Sequence, residues 1–176
     1  PEEVIKIAQI NRSAKIFLRI AVSNKGSMWP LCKKFGAEDN GVNEIIQTAV
    51  KNDIRIEGVS FHVGSQCSNP KNWLDGINRA KKIFTMLEYV GMKPSLLNIG
   101  GGFPIQLLET DPNIDELAFD INKALDSIPN SINVVAEPGR YMIGSAGCLI
   151  TKVIGIATRK DARWIYLDSG FYGGLM

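Results

Sequence analysis

Four short apolar segments rich in β-branched residues recur along the chain, with starts spaced by roughly 40 residues. They cover residues 16–22, 54–63, 95–99 and 132–136, and helical patterns lie between them. Strands that alternate with helices at this spacing favour right-handed βαβ units and a parallel sheet, either doubly wound or closed into a (β/α) barrel. The sequence therefore predicts an α/β fold.

Two amphipathic helices are predicted from apolar residues spaced three and four apart. The first should end at Gly91, and the second should begin at Asn113 as its N-cap, with Glu116 as the capping-box partner. Pro129 should stop the second helix. The two apolar stripes are Trp73, Ile77, Ala80, Phe84 and Leu87 in the first helix, and Ile114, Leu117, Ile121, Leu125 and Ile128 in the second.

Two further helix signals lie earlier in the chain. Residues 42–50 follow Asn40, which we expect to act as their N-cap. Pro1 occupies the position of a first-turn proline, so an opening helix is expected as well.

The alternation of strand and helix changes near residue 145. Residues 147–157 and 164–172 are strand-like and are separated only by a turn, so an antiparallel β region is expected there. We therefore predict two parts, a partial (β/α) barrel over residues 1–144 and the beginning of a β domain over residues 145–176. A complete eight-stranded barrel needs about 250 residues, and this chain has 176 and opens on Pro1, so we expect a piece of a longer protein.

Composition narrows the choice of partners. The chain is 45% hydrophobic and 22% charged with a net charge of +2, which is typical of a globular protein and disfavours nucleic acid as a partner. Its apolar runs are shorter than the roughly 20 residues of a membrane span, so we expect no membrane partner. Cys32, Cys67 and Cys148 lack metal-ligand spacing, so we expect free thiols, a reducing cytoplasmic compartment and no metal site.

Candidate functional residues occur at the first two predicted strands, since both parallel architectures place their sites where strands end. Arg19 interrupts an apolar strand, and we expect it to be buried and paired with either a structural carboxylate or a bound anion. His62, the only histidine, lies near the carboxyl end of the second predicted strand and is either a core histidine or a functional one. Ser65 supplies a hydroxyl in the tight loop that follows.

The third and fourth strands lead into two further candidate loops. Gly100, Gly101 and Gly102 follow the third strand, where their N–H groups could bind a phosphate; a merely flexible turn is the alternative. Glu137 and Arg140 follow the fourth strand. They either pair with each other, or Arg140 binds a phosphate while Glu137 faces a cationic ring nitrogen.

The motifs SFHVGSQ, LLNIGGGFP and AEPGRYM, in this order and spacing, resemble the ornithine decarboxylase family of alanine-racemase-like, fold type III pyridoxal-phosphate enzymes. The resemblance extends to FLRI, KFGA and DSGFYGGL, and so covers nearly the whole chain. It implies the C-terminal half of a pyridoxal-phosphate-binding (β/α)8 barrel, followed by the start of a β-rich domain. It also implies decarboxylation of a basic amino acid, first of all L-ornithine to putrescine. Decarboxylases of lysine, arginine or diaminopimelate and a non-catalytic, antizyme-inhibitor-like homologue are the alternatives.

The resemblance also implies roles for single residues. His62 would stack on the ring of pyridoxal 5'-phosphate, Glu137 would pair with the pyridinium nitrogen, and both would be catalytic. Arg19 would lie beneath the ring, and Tyr172 would stand near the phosphate or the tail of the substrate. The cofactor-binding residues so implied are Arg19, His62, Ser65, Gly100, Gly101, Gly102, Glu137, Arg140 and Tyr172.

Other family features have no counterpart in this sequence. The lysine that holds the cofactor covalently is expected upstream of Pro1, and no lysine here matches it. The catalytic cysteine and the acidic residues that read the substrate's distal amine are expected beyond Met176. In the family that cysteine comes from a partner subunit, so we expect a homodimer with the active site at the subunit interface.

Overall fold

The structure is a computed structural model that describes residues 1–106 and 112–174. Those residues form two compact units, Pro1–Met142 and Ile143–Met176. The helices are α1 (Glu2–Ile10), α2 (Asp39–Lys51), α3 (Lys71–Tyr89), α4 (Ile114–Leu125) and α5 (Gly139–Ile143), with a 3-10 helix at Phe171–Gly173. The strands are β1 (Lys15–Arg19), β2 (Ser27–Trp29), β3 (Arg55–Ser60), β4 (Ser65–Cys67), β5 (Leu96–Asn98), β6 (Asn133–Val135), β7 (Val153–Arg159) and β8 (Ala162–Leu167).

The first unit is built on a parallel sheet of four strands in the order β1-β3-β5-β6. Every neighbouring pair is parallel, and α2, α3 and α4 connect the strands in turn. The predicted α/β class with a parallel sheet is confirmed. The spatial order of the strands follows the chain without reversal, as in a (β/α) barrel and unlike the switch point of a doubly wound sheet.

The core lies between the helices and one face of this sheet. In α3 the predicted stripe is buried, with Trp73, Ile77 and Leu87 at 0% exposure. Leu97 of β5 and Val59 of β3 are also 0% exposed. Because burial of one large apolar side chain stabilises a fold by about 1.5–3 kcal/mol, this layer dominates the stability of the unit.

The end of α3 confirms the prediction at Gly91. Gly91 has φ +81°, and its N–H donates to the carbonyl of Glu88 at 2.9 Å. The N–H of Met92 donates to the carbonyl of Leu87 at 2.9 Å. This pair of bonds is the Schellman motif, in which a glycine with positive φ satisfies the last carbonyls of a helix.

The start of α4 agrees with the sequence only in part. The side chain of Asn113 accepts the N–H of Asp115 at 2.9 Å, which confirms the N-cap. The side chain of Glu116 makes no hydrogen bond within the described residues, so the predicted capping box is wrong. The helix ends at Leu125, before Pro129, because a turn that joins Ile128 to Leu125 follows it.

The predicted cap of α2 is also wrong. Glu38 is the N-cap, in extended conformation, and Asn40 lies in the first turn. Asp39, the first residue of the helix, forms a 2.6 Å ion pair with Arg79 of α3. The opening helix is confirmed, with Pro1 immediately before it at the N-cap.

A short antiparallel ribbon, β2 with β4, was not predicted from the sequence. Ser27 pairs with Cys67, and Trp29 pairs with Ser65. Each strand has only three residues, too few to show an alternating pattern. The ribbon joins the loop after β1 to the turn that follows β3.

The second unit contains an antiparallel hairpin, β7 with β8. Both strands are shorter than the predicted segments 147–157 and 164–172. At the end of the hairpin that lies away from its turn, the N–H of Asp168 donates to the carbonyl of Lys152 at 3.0 Å. The Asp168 carboxylate also accepts the N–H of Lys152 at 2.8 Å. Residues 147–152 lie before β7 and do not form a strand, so that part of the prediction is wrong.

Candidate functional site

The carboxyl ends of the four parallel strands meet in register at one edge of the sheet. Arg19 pairs with Ser60, and Ser60 pairs with Asn98. Asn98 in turn pairs with Val135. Hydrogen bonds continue past the strand ends, such as the 2.9 Å bond from the N–H of Ile99 to Val135. The loops that follow β3, β5 and β6 therefore emerge side by side.

Gly101 lies where these three loops converge. A Cβ atom at Gly101 would overlap the carbonyl oxygen of Glu137 and would come within 3.1 Å of Nε2 of His62. Gly101 is buried, yet neither its N–H nor that of Gly102 donates to an acceptor within residues 1–106 and 112–174. Buried N–H groups rarely lack a partner, so these two donors fit a bound anion.

Gly100 differs from the two glycines that follow it. Its N–H donates to Oδ1 of Asn98 at 2.8 Å, and its carbonyl accepts the N–H of Glu137 at 2.8 Å. Its φ is +68°, and a Cβ atom there would overlap the carbonyl oxygen of Phe61. Gly100 thus shapes the loop, and its N–H is already used within the chain.

The imidazole of His62 is half-buried and held in one tautomer. Nδ1 accepts the N–H of Gly64 at 3.0 Å, so the proton of the neutral ring lies on Nε2. Burial lowers the pKa of His62 and the charge of Arg19 lowers it further, while Glu137 raises it. The ring is therefore mainly neutral at neutral pH.

We expect the pKa of His62 to lie below its ordinary value of 6.5. The unfolded chain binds this proton more readily than the folded chain does. The contribution of neutral His62 to the free energy of unfolding is therefore fully present above about pH 6.5, and it is lost as the pH falls through the folded-state pKa. His62 is the only histidine of these 176 residues, and its imidazole signal in an NMR titration is identified by its loss in His62→Gln. Arg19→Gln should raise that pKa, and a wild-type pKa at or above 6.5 would contradict the described environment.

The turn after His62 is fastened to the glycine loop by Gln66. This residue is 6% exposed and has φ +53°. Its side chain exchanges hydrogen bonds with the main chain of Ile105, one of them 3.1 Å long. Ser65 therefore stands beside the loop, half-buried, and its hydroxyl has no hydrogen bond within the described residues.

Glu137 and Arg140 do not pair with each other in the part of the chain that the structure describes. Glu137 instead accepts a 2.8 Å hydrogen bond from Asn98. Arg140 is exposed in α5. The internal salt bridge, one of the two predicted alternatives, is therefore wrong, and the guanidinium is available to an external anion.

The expectation that Arg19 is buried is wrong, and Arg19 forms no ion pair with a carboxylate of the described residues. Its pairing with a bound anion stays a prediction. Side chains alternate along β1, so Leu18 and Ile20, at 7% and 1% exposure, enter the core while Arg19 lies on the opposite, exposed face. The guanidinium stacks over the ring of Phe35, with 5.1 Å to the ring centre. Its charge still reaches the site, where it lowers the pKa of His62.

Among the predicted cofactor-binding residues, only Tyr172 lies in the second unit. It belongs to the 3-10 helix Phe171–Gly173 and is 88% exposed. All the others lie at or just beyond the strand ends of the first unit. The role of Tyr172 stays a prediction.

The side chain of Asn24 holds two loops of the site together, and this role was not predicted from the sequence. It is 6% exposed, and its Oδ1 accepts the N–H groups of Leu31 and Cys32 at 2.5 and 2.8 Å. Its Nδ2 donates to the carbonyl of His62 at 3.2 Å. Asn24 therefore ties the loop after β1 to the end of β3. A single asparagine in a loop resembles any turn residue, so the sequence held no signal for this role.

Three further observations concern the cysteines, metal ligands and membrane-spanning helices. All three cysteines are free thiols, and burial raises the pKa of Cys67. Within residues 1–106 and 112–174, no cluster of histidine, cysteine and acidic side chains could hold a metal ion. No helix in the described ranges is long and apolar enough to cross a membrane.

Comparison with known proteins identifies the family of this chain. Residues 1–144 match the family "Pyridoxal-dependent decarboxylase, pyridoxal binding domain". The chain is 37% identical to the lysine/ornithine decarboxylase of Selenomonas ruminantium over 98% of its length and 44% of that protein. It is 36% identical to the ornithine decarboxylase of Mus musculus over 97% of its length and 41% of that protein.

A solved structure shows the same architecture. The arginine decarboxylase of Paramecium bursaria Chlorella virus, bound to agmatine, aligns with a TM-score of 0.84 and 33% identity over 99% of this chain and 47% of that one. The chain thus spans less than half the length of the relatives it matches. A match over residues 1–144 and identities above one third over nearly the whole chain establish its family. The chain belongs to the pyridoxal-dependent decarboxylases.

Proposed function

We propose that the carboxyl edge of the parallel sheet binds pyridoxal 5'-phosphate, and that the whole protein decarboxylates a basic amino acid, first of all L-ornithine to putrescine. The observation that carries this proposal is Gly101. Its buried N–H has no acceptor in the described residues, and the side of Gly101 without a side chain faces His62 and Glu137. That side meets the imidazole of His62 and the main-chain carbonyl of Glu137, so a phosphate on the glycine loop would bring an attached ring close to both residues.

The donor set fits the phosphate. The N–H groups of Gly101 and Gly102, the hydroxyl of Ser65 and the guanidinium of Arg140 have no acceptor in the described residues. Phosphate oxygens prefer N–H groups of irregular loops together with a planar arginine fork. We assign phosphate binding to these four residues, and to Gly100 the shaping of the loop.

We assign the binding of the cofactor ring to His62, Glu137 and Arg19. His62 would stack on its face as a neutral imidazole, Glu137 would meet its nitrogen, and Arg19 would lie beneath it. When bound, the protonated ring acts as the electron sink for the charge that CO2 loss leaves behind. The part of Glu137 is to hold the proton on the ring nitrogen with its negative charge. Tyr172 is proposed near the phosphate or the substrate's tail.

We expect Arg140→Ala to weaken the binding of pyridoxal phosphate by about 1.5 kcal/mol, roughly tenfold, the lower limit for a hydrogen bond to a charged group, since Arg140 is exposed. A cofactor titration followed by absorbance measures this change. Arg12→Ala is the matched control, because Arg12 is exposed and precedes the amino end of β1, at the opposite edge of the sheet. Equal affinities of wild type and Arg140→Ala would remove Arg140 from the phosphate site.

The substrate is tested by CO2 release from ornithine, lysine, arginine and diaminopimelate in parallel. Ornithine is proposed first because the chain is 36–37% identical to the ornithine and lysine/ornithine decarboxylases reported above. Faster turnover of another of the four would replace ornithine as the substrate. Cofactor binding without CO2 release from any of them would identify a non-catalytic, antizyme-inhibitor-like homologue.

The organisation of the whole protein is also a proposal. Residues 1–144 would contribute part of the cofactor-binding barrel, and residues 145–176 the opening of a β domain. We propose a cytoplasmic homodimer with the site at the subunit interface. The dimer is proposed because the family resemblance implies a catalytic cysteine from a partner subunit, and the free cysteines fit a reducing compartment.

A further inference from the structure

Asn98, the last residue of β5, connects the glycine loop to Glu137 through one buried side chain. It is 7% exposed. Its Oδ1 accepts the N–H of Gly100 at 2.8 Å, and its Nδ2 donates to Oε1 of Glu137 at 2.8 Å. A single planar amide therefore contacts two loops that follow neighbouring strands.

The main-chain partner decides which end of the amide faces Glu137. A backbone N–H can only donate, so the bond from Gly100 requires the amide oxygen and directs the NH2 group at the carboxyl group. An N–H donor favours an ionised carboxylate over the protonated acid, and such charge-assisted bonds are about twice as strong as neutral ones. The amide thus holds Oε1 of Glu137 through its NH2 group.

The remaining contacts hold Glu137 at one oxygen and leave the other open. The main-chain N–H of Glu137 donates to the carbonyl of Gly100 at 2.8 Å, so the glycine loop also holds its backbone. Oε2 makes no hydrogen bond within the described residues. With one oxygen held and the other open, the carboxylate can accept a ligand's N–H from one defined direction.

We propose that Asn98 is a positioning residue that fixes one carboxylate oxygen of Glu137 and aims the open oxygen at the cofactor's ring nitrogen. The inference rests on the proposed function, because the ring nitrogen is the ligand group involved. It adds that one side chain sets both the loop that receives the phosphate and the carboxylate that meets the ring. A shift of the glycine loop would therefore move the carboxylate with it.

Asn98→Asp separates the two bonds of the amide. Aspartate keeps an oxygen for the N–H of Gly100 but places a second carboxyl oxygen against Oε1 of Glu137. Two carboxylates in contact do not readily both stay charged, so the pair should share one proton. Infrared spectra of the cofactor-free protein at about pH 6 should then show a protonated carboxyl band that the wild type lacks.

The double variant Asn98→Asp/Glu137→Gln is the matched control. Its glutamine amide can donate to the aspartate, which restores the hydrogen bond with donor and acceptor exchanged and leaves one carboxylate. The protonated band should disappear. Arg19, His62 and Arg140, the titratable side chains nearest to this pair, are the same in all variants. The comparison therefore isolates the pair.

Asn98→Ala removes both bonds, and hydrogen exchange at the Gly100 amide should accelerate by about tenfold, as expected for one lost hydrogen bond. Exchange in Asn98→Asp should stay at the wild-type rate. Absence of the protonated band in Asn98→Asp, or unchanged Gly100 exchange in Asn98→Ala, would overturn the proposal. The proposed function fails separately, if the wild type binds no pyridoxal phosphate in a titration.

Discussion

Gly100→Ala should destabilise the protein by about 3 kcal/mol or more, the largest effect we expect from a single methyl group in this chain. The new Cβ would overlap the carbonyl oxygen of Phe61 and lie 3.1 Å from Cα of His62. Both neighbours are main-chain atoms, which cannot rotate away as the end of a side chain can. The overlap must therefore separate the loop after β5 from the end of β3, and urea unfolding followed by circular dichroism measures the loss.

Gly91→Ala is the control that separates backbone strain from steric overlap. Gly91 also has positive φ, +81° against +68°, but a Cβ there would meet nothing within 4 Å. We expect a loss of about 1 kcal/mol, the usual strain of an L-residue in this region. Equal losses at the two positions would show that the loop accommodates the methyl group, and would contradict the tight convergence of the three loops.

The fold was predictable where local pattern and tertiary packing agree. Apolar residues at intervals of three and four identified α3 and α4 because those residues form the buried faces of the helices. The four parallel strands were found because most of their side chains are apolar. Gly91 ended its helix as predicted, since the Schellman motif depends on a single residue type.

Features that depend on distant partners escaped prediction. The ion pair between Asp39, at the start of α2, and Arg79 joins residues that are 40 apart. The ribbon of β2 with β4 is too short to produce a periodic pattern. Arg19 was expected to be buried because its neighbours are apolar, but the alternation of side chains along a strand sends it to the opposite face.

The candidate site was predicted in part for a different reason. His62, Gly101 and Glu137 follow three separate strands. Functional sites gather at the carboxyl ends of parallel strands, and this rule predicted that the three residues lie close together. Their supporting amides were not predicted. Asn24 and Gln66 act through main-chain groups of other loops, and such contacts have no sequence pattern.

Glu137→Gln should leave the fold intact and slow decarboxylation by the whole protein. Glutamine keeps an oxygen that can accept the hydrogen bond from Asn98, so the carboxamide should occupy the same position. It lacks the negative charge that holds a proton on the ring nitrogen. We expect kcat to fall by a factor of about ten to a hundred, which corresponds to roughly 1.4–2.7 kcal/mol. Single-turnover decarboxylation of the cofactor-loaded protein measures this step.

Two further measurements locate the effect at Glu137. Cofactor affinity should be retained, because Arg140 and the N–H groups of Gly101 and Gly102 are unchanged. The pKa of His62 should fall further, because the charge that raises it is removed, and NMR can detect this in the cofactor-free protein. Glu88→Gln, an exposed change in α3, is the matched control and should alter neither quantity. Normal single-turnover decarboxylation by a folded, cofactor-loaded Glu137→Gln protein would remove Glu137 from the catalytic residues, since its charge is the only property that the substitution takes from the site.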